Sequence, residues 1–339
     1  MELRTSDFDY SLPPELIAQE PAARRDQSRL LVLDRSTGRI RHDRFAGIGQ
    51  YLRKGDVLVA NRSRVIRARL EARKQSGGMV EILLVHPLSQ TRWQAMARPS
   101  RRLQPGMQLD LDGDLFARLE TRDSDGIWTV CFDGPDVAER LLTIGRLPLP
   151  PYIHSQTTPD ERYQTIYADR EGSVAAPTAG LHFTPELLAD LTERGIETQF
   201  VTLHVGIGTF RPVAVDRVRE HRMHAEWGEV PHETAEALNR VRHAGGRVVA
   251  VGTTSTRLLE SVIERGRFVP FSGFTDRFIV PGYRFQAIDA LVTNFHLPRS
   301  TLLMLVSAFA GRETILRAYQ SAVEKRYRFY SFGDAMLIL

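Results

Sequence analysis

The spacing of hydrophobic and polar positions changes character along this chain. Between Arg64 and Pro150 the apolar residues come in short runs: VEILLV (Val80 to Val85), WQAMA (Trp93 to Ala97), LFARLE (Leu115 to Glu120) and IWTVCF (Ile127 to Phe132). Each run has the length of a strand. Gly77-Gly78, Pro105-Gly106, Asp112-Gly113 and Asp125-Gly126 stand between or beside them as turn signals. Closely spaced short strands with this punctuation predict a small all-β barrel.

Beyond LPLPPY (Leu147 to Tyr152) strands alternate with amphipathic helices. A helix is predicted to start at Thr184, with Pro185 in its first position, and to stop near Gly195. ETQFVTLHV (Glu197 to Val205) reads as a strand, ETAEALNRVRHA (Glu233 to Ala244) as a helix, RVVAV (Arg247 to Val251) as a strand, and a helix follows from about Thr254. DALVTNF (Asp289 to Phe295) and the helix after Pro298 repeat the alternation. LLVLD (Leu30 to Asp34) and DVLVAN (Asp56 to Asn61) supply strands of the same buried type. The fold class is therefore α/β: a discontinuous α/β domain, 1–62 and 150–339, with a small all-β barrel inserted over 63–149. Three consecutive domains would leave the first sixty residues too small for their own core.

Composition narrows the class. Hydrophobic residues make up 42% and charged residues 25%, an ordinary globular balance that argues against disorder. The single cysteine, Cys131, excludes an intrachain disulfide framework and any multi-cysteine metal centre. The first residues contain no apolar signal-peptide core, and TLLMLVSAFA (Thr301 to Ala310) is about half the length that spans a bilayer, so it reads as a buried helix. A cytoplasmic protein is expected. Lys plus Arg outnumber Asp plus Glu by 45 to 41, and all but Lys54, Lys74 and Lys325 of the basic residues are arginine. Guanidinium forks suit phosphate and base contacts, but a GC-rich genome gives the same bias.

Six segments carry polar groups in positions where chemistry happens. SVAAPTAGLHFT (Ser173 to Thr184) is rich in small residues, and includes Thr178 and Gly180. It brings His182 up to a helix N-cap, where an anion is attracted. A packing loop with a hydrogen-bonded histidine has the same pattern. TLHVGIGTF (Thr202 to Phe210) puts His204 near a strand end, with Gly206 and Gly208 behind it. Ligands bind at such ends, yet no third glycine completes a dinucleotide fingerprint. HRMHAE (His221 to Glu226) offers His224 and Glu226 two apart without a third metal ligand, so no metal is expected. VGTTSTRLLE (Val251 to Glu260) leads through Gly252 to Thr253, Thr254 and Ser255, hydroxyls able to cradle an anion or to cap a helix. TNFHLPRST (Thr293 to Thr301) sets Asn294, His296 and Arg299 between strand and helix. YRFYSFGDAM (Tyr327 to Met336) interleaves aromatics with Arg328, either to stack on unpaired RNA bases or to form a C-terminal core strand. Two arginine runs, NRSRVIRARLEARK (from Asn61) and ARPSRRL (from Ala97), add Arg62, Arg64, Arg98 and Arg101 as phosphate contacts or as a solvated strand face.

Taken together, SRLLVLDR (Ser28 to Arg35), GDVLVAN, GRLPLPPYI (Gly145 to Ile153), RYQTIYA (Arg162 to Ala168), SVAAPTAGLHFT, TLHVGIGTF, TDRFIVPGYRF (Thr275 to Phe285), TNFHLPRSTLLMLVSAF and YRFYSFGDAM resemble, in this order, the S-adenosylmethionine:tRNA ribosyltransferase-isomerases of queuosine biosynthesis. The resemblance runs from about Phe8 to Met336. It departs at Ser63-Arg64-Val65-Ile66-Arg67, where the family has a proline in place of Arg67.

The resemblance implies that the tRNA anticodon arm carries 7-aminomethyl-7-deazaguanine at the wobble position. Its amine takes up the ribosyl part of S-adenosylmethionine, which rearranges to an epoxycyclopentane as adenine and methionine leave. The product is epoxyqueuosine-tRNA. S-adenosylmethionine is then a consumed substrate, with no cofactor, no metal and no membrane partner. A monomer is expected. The carbon beside a sulfonium is acidified and a base must take its proton, a task suited to histidine. His182, His204 or His296 is the expected base. Glu226 and Asp276 are candidates for the sulfonium or ribose hydroxyls. Thr178, Gly180 and Thr253 are candidates for the methionyl carboxylate or adenine, with Asn294 beside them. Two rivals predict other outcomes: an S-adenosylmethionine-dependent tRNA methyltransferase leaves a methyl group on RNA, and a non-enzymatic tRNA-binding protein releases no adenine.

Overall fold

A computed structural model describes residues 2–155, 158–206 and 213–339. The chain divides into two compact units. One comprises Met1–Arg64, Pro151–Arg170 and Ala176–Leu339; the other comprises Val65–Pro150 and Glu171–Ala175. Strands, numbered in chain order, begin with β1 (Arg29–Leu33), β2 (Ile40–Arg44), β3 (Val57–Asn61) and β4 (Ser63–Val65). Next come β5 (Arg69–Lys74), β6 (Met79–Pro87), β7 (Arg92–Arg98), β8 (Gln108–Asp112), β9 (Leu115–Arg122) and β10 (Trp128–Asp133). The remaining strands are β11 (Arg170–Ser173), β12 (Glu197–Leu203), β13 (Glu226–Val230), β14 (Val248–Val251), β15 (Ile263–Glu264), β16 (Arg267–Phe268), β17 (Phe271–Thr275), β18 (Ala290–Asn294) and β19 (Ala335–Ile338). The helices are α1 (Val137–Ile144), α2 (Pro185–Glu193), α3 (His232–His243), α4 (Gly252–Ser261), α5 (Thr301–Ala310) and α6 (Arg312–Glu324).

The smaller unit is a closed antiparallel barrel in the order β10-β7-β6-β5-β8-β9. Alternation builds it: in β9, Leu115, Ala117 and Leu119 are buried while Arg118 faces water. Leu70, Ala72, Val80, Ile82 and Val130 fill the inside in the same way. Closure removes the free edges that a small sheet would otherwise expose.

The larger unit is built on a nine-stranded sheet, β17-β13-β12-β3-β14-β18-β19-β1-β2. β12, β3, β14 and β18 run parallel to one another. β3, β14, β18 and β19 are buried at every position, the mark of strands covered on both faces. Leu31, Val57, Val59, Val201, Val248 and Leu291 face one core, which includes Leu303 and Met304 of α5, Ile315 and Tyr319 of α6 and Leu238 of α3. Their neighbours Leu30, Leu58, Ala60, Val249, Val292 and Leu337 face the other, against Leu187 and Leu191 of α2 and Phe45. The α/β class with an all-β barrel is as expected.

Helix ends follow their chemistry. Thr184 caps α2, its side chain accepting from Leu187 N at 3.2 Å, Pro185 opens the helix, and Gly195 behind it sits at φ +77°. Ser300 caps α5 in the same manner, and no α5 residue is exposed. Two expectations shift. α4 begins at Gly252, ahead of Thr254, because Gly252 takes φ +91° directly after β14. Its hydroxyls do not cap: Ser255 and Thr256 donate back to the carbonyls of Val251 and Gly252 at 2.9 and 3.1 Å. β12 stops at Leu203, so His204 lies just past the strand, its amide on the Trp227 carbonyl at 2.9 Å.

Asp56 clamps the amino ends of β3 and β14. Its buried carboxylate accepts from Arg247 Nε and NH2, from the Arg247 amide and from the Arg53 amide at 2.9 Å. Burial opposes ionisation, but the bonds from Arg247 and Arg53 win and hold the carboxyl below its usual range. Replacing Asp56 by Ala strands Arg247 and costs roughly 3 kcal/mol in urea unfolding, and a loss under about 1 kcal/mol would refute the clamp. Because the folded pKa is depressed, the clamp acts fully above the unfolded carboxyl's pKa near ~4 and fades as the pH falls through the folded value.

Candidate active site

Parallel strands β12, β3, β14 and β18 end at the same edge of the sheet, and polar residues gather there. Asn61 closes β3, His204 follows β12, Gly252 follows β14 and Asn294 ends β18. β19 runs antiparallel to β18, and Ala335 pairs with Asn294. β1 runs parallel to β19, so Ser28, just before β1, reaches the same edge. A sheet that is apolar on both faces offers polar chemistry only at such ends.

His182 stands in this cluster. It ends the 3-10 turn Thr178–His182, is buried, and packs against Phe45 with ring centroids 5.0 Å apart. Its Nδ1 lies 2.7 Å from Ser28 Oγ and its Nε2 lies 3.3 Å from Asn294 Nδ2. The Asn294 amide is oriented by its other partners. Its nitrogen donates to the Tyr330 carbonyl at 3.3 Å, and its oxygen accepts from Thr178 Oγ1 at 3.0 Å. Asn294 therefore presents N–H to His182, which makes Nε2 the lone-pair nitrogen and leaves the proton on Nδ1 for Ser28. The Ser28 hydroxyl in turn donates to the Arg25 carbonyl at 3.3 Å. Burial lowers the His182 pKa to about 4; Asp334 pulls it up, and Arg328 and Arg25 push it down. The imidazole is neutral throughout the physiological range.

A cleft opens on this histidine, lined by Arg25, Ser28, Arg162, His182, Arg328 and Ser331 among others. Thus Thr178, His182, Asn294 and Arg328 come together. Arg25, Arg162 and Ser28 join them, three residues that the sequence pattern does not single out. Ser28 opens the SRLLVLDR run and Arg162 opens RYQTIYA, though neither run assigns them a role, and nothing in the local pattern of Arg25 marks it.

The other candidates do not line this cleft. The His296 ring is buried with Nε2 2.8 Å from Thr293 Oγ1, and burial lowers its pKa to about 3. His204 stacks on Trp227 at a centroid distance of 5.2 Å. Gly206 is described and Gly208 lies outside the described residues. Gly180 has no room for a side chain, since a Cβ there would stand 2.2 Å from the Tyr167 hydroxyl. Thr253 is buried in the first turn of α4. Glu226 is buried, its two oxygens taken by Arg257 NH1 and by the Gly206 amide at 2.7 Å. Arg257 is a buried cation within VGTTSTRLLE, where the hydroxyls are the more conspicuous signal. Asp276 is exposed on a shallow pocket with Phe274 and Arg277.

Among the arginines, Arg62 and Arg64 already face acids, Asp169 at 3.7 Å and Glu161 at 2.5 Å. Arg98 and Arg101 are exposed on the barrel unit. The aromatics around Arg328 are not RNA-stacking surfaces: Tyr327, Phe329, Tyr330 and Phe332 are all buried, and the strand begins only at Ala335. Among the described residues no group of three His, Cys, Asp or Glu side chains is placed to hold a metal ion, and no helix is long and apolar enough to cross a membrane.

Comparison with known proteins adds a second line of argument. The family model described as "Queuosine biosynthesis protein" matches residues 5–338. A protein of Thermotoga maritima named S-adenosylmethionine:tRNA ribosyltransferase-isomerase is 54% identical over 338 residues, 99% of this chain and 100% of its own. Proteins of the same name from Carboxydothermus hydrogenoformans and Symbiobacterium thermophilum are 52% and 54% identical, each over 99% of this chain and all of their own. A crystal structure of S-adenosylmethionine tRNA ribosyltransferase from Thermotoga maritima covers 98% of this chain and 100% of its own, with a TM-score of 0.58 at 44% identity. The chain belongs to the queuosine biosynthesis protein family.

Proposed function

We propose that this protein transfers and isomerises the ribosyl group of S-adenosylmethionine onto 7-aminomethyl-7-deazaguanine at the wobble position of tRNA. The product is epoxyqueuosine-tRNA, with adenine and methionine released. The observation that carries this reading is full-length identity above half to proteins named for that activity. S-adenosylmethionine is the consumed substrate and no separate cofactor enters. In this reading the protein is a cytoplasmic monomer that modifies tRNA.

The chemistry asks for a base at the carbon beside the sulfonium, and we assign it to His182. Three features support the assignment, and the first sets His182 apart from His204 and His296, neither of which lines that cleft. The ring lines the small cleft it shares with Arg25, Arg162 and Arg328. Its Nε2 carries a lone pair, held only by a long contact to Asn294 that a bound substrate can displace. Its depressed pKa keeps it unprotonated, so it needs no prior deprotonation. Once Nε2 takes the proton, the Nδ1–H bond to Ser28 and the Asp334 carboxylate favour the cation. Asn294 and Ser28 fix the tautomer; Thr178 fixes Asn294. Exposed Arg98 and Arg101 are candidates for RNA phosphates.

A label experiment separates this activity from methyl transfer. With precursor-bearing tRNA, ribose label from S-adenosylmethionine enters RNA, methyl label stays on free methionine, and adenine appears in equal amount. Methyl label on RNA would mean a methyltransferase, and RNA binding without adenine would mean a binding protein.

His182→Ala lowers the single-turnover rate of adenine release by at least about a hundredfold, the usual worth of a positioned base, while RNA affinity stays within about threefold. Turnover at the parent rate would remove His182 from the mechanism. A base is active when unprotonated, so the acid limb of kcat/KM set by His182 falls toward pH 4 and not near the ordinary histidine value of 6.5. A limb centred near 6.5 that persists in His182→Ala would assign the titration to another group.

A further inference from the structure

Three acidic groups near the His182 cleft are engaged by arginines set back from it. Asp334 accepts from Arg29 Nε at 3.1 Å and from the amides of Arg29 and Arg328 at 2.9 and 2.8 Å. Glu161 is bound by Arg64 at 2.5 Å, and Asp26 by Arg24 at 3.2 Å. The cations lining the cleft are held differently. Arg25 donates to the carbonyls of Leu181 and Glu161 at 3.2 and 2.9 Å. Arg162 donates to the carbonyls of Ala22 and Ala23, the latter at 3.1 Å, and its buried Nε has no partner. Among the described residues neither forms an ion pair with a carboxylate. Arg328 donates to the Glu20 carbonyl at 3.2 Å, and its Nε stands 3.8 Å from Asp334.

Carbonyl bonds fix a guanidinium in place without cancelling its charge. Backbone groups from three separate stretches therefore hold like charges round one opening. Burial first, then Arg162, holds the Arg25 pKa below its usual value, against the weaker pull of Tyr167 and Glu161. An arrangement that costs stability in the free protein is relieved by an anion, which a guanidinium fork grips through paired N–H donors.

We propose that Arg25, Arg162 and Arg328 form a seat for one oxyanion of a substrate beside His182, either a phosphodiester of the RNA or the carboxylate of the sulfonium amino acid. The proposal rests on reading the cleft as the reaction site. A seated oxyanion anchors the substrate at its charged end and leaves the neutral imidazole facing the reacting carbon. It also offsets the positive field that disfavours the imidazolium, so the same ion raises the basicity of His182 when substrate is present.

The test uses the full chain with Arg25→Gln, Arg162→Gln and Arg25→Lys. Two probes are titrated: an anticodon stem-loop transcript over a range of salt, and S-adenosylmethionine alone. The seat predicts at least about tenfold weaker binding of one probe in each Gln variant, with part of the loss recovered in Arg25→Lys. If RNA supplies the ion, the slope of log K against log salt shrinks by about 1. If the amino acid supplies it, S-adenosylmethionine affinity falls and the RNA slope holds. Circular dichroism checks the fold, and Arg328→Gln, at a side chain about a third exposed, carries the same test where one of the other substitutions unfolds. Folded Gln variants that bind both probes like the parent overturn the seat. That outcome differs from a failure of the ribosyl-transfer reading, in which the parent protein itself releases no adenine.

Discussion

A sheet whose central strands are apolar on both faces has nowhere to put polar side chains except the ends of those strands, and this constraint organises the larger unit. Val57, Val59, Val248 and Leu291 face one core while Leu58, Ala60, Val249 and Val292 face the other. Strand pairing satisfies the backbone in between. Because β12, β3, β14 and β18 are parallel, their carboxyl ends fall at one edge. The opposite edge is tied by the Asp56–Arg247 clamp. Position in the fold thus decides which polar residues are free for chemistry and which are spent on holding strands together.

Electrostatics at the edge depend on pairing more than on residue count. A net charge of +4 spread over a chain of 339 residues says little by itself. What matters is that Asp334, Glu161 and Asp26 are taken by Arg29, Arg64 and Arg24, while Arg25 and Arg162 are held by neutral carbonyls. The same number of charges paired differently would leave a neutral cleft. His182 reports the difference, since burial lowers its pKa and Arg328 and Arg25 push it further down.

Architecture is legible in the sequence because it is written in period and punctuation. The Thr184 and Ser300 caps and the positive φ at Gly195 all act within a few residues of where they are encoded. The barrel strands can be read for the same reason. The start of α4 and the end of β12 differ from expectation by about two residues, where a glycine's backbone freedom and a neighbouring strand decide the boundary. Pairings between distant segments are not legible. Ser28 meets His182 across 154 positions and Arg25 meets Leu181 across 156. Glu226 reads as available for substrate in the sequence, but Arg257, 31 residues on, stands beside it in the fold. In YRFYSFGDAM, alternation suggests a strand or a stacking surface, yet Tyr330 turns at φ +70° and the aromatics enter the core.

The histidines at the edge differ in what their nitrogens have left to do. His296 has little freedom: its ring is buried with Nε2 on Thr293. Its amide donates to the Tyr319 hydroxyl at 2.9 Å, and its carbonyl accepts from the Tyr10 hydroxyl at 2.6 Å. Such a residue moors the turn between β18 and α5. Asn294, two positions earlier, ends β18 and is held there by its pairing with Ala335, and Tyr330 and Thr178 fix which end of its amide faces His182. The tautomer of His182 is therefore set by Asn294, through its bonds to Tyr330 and Thr178, and not by His296, which does not line the cleft. The recurrence of histidine thus reflects two different physical tasks: His296 is held by its ring and backbone where β18 leads into α5, while His182 keeps a lone pair defined by the Asn294 amide.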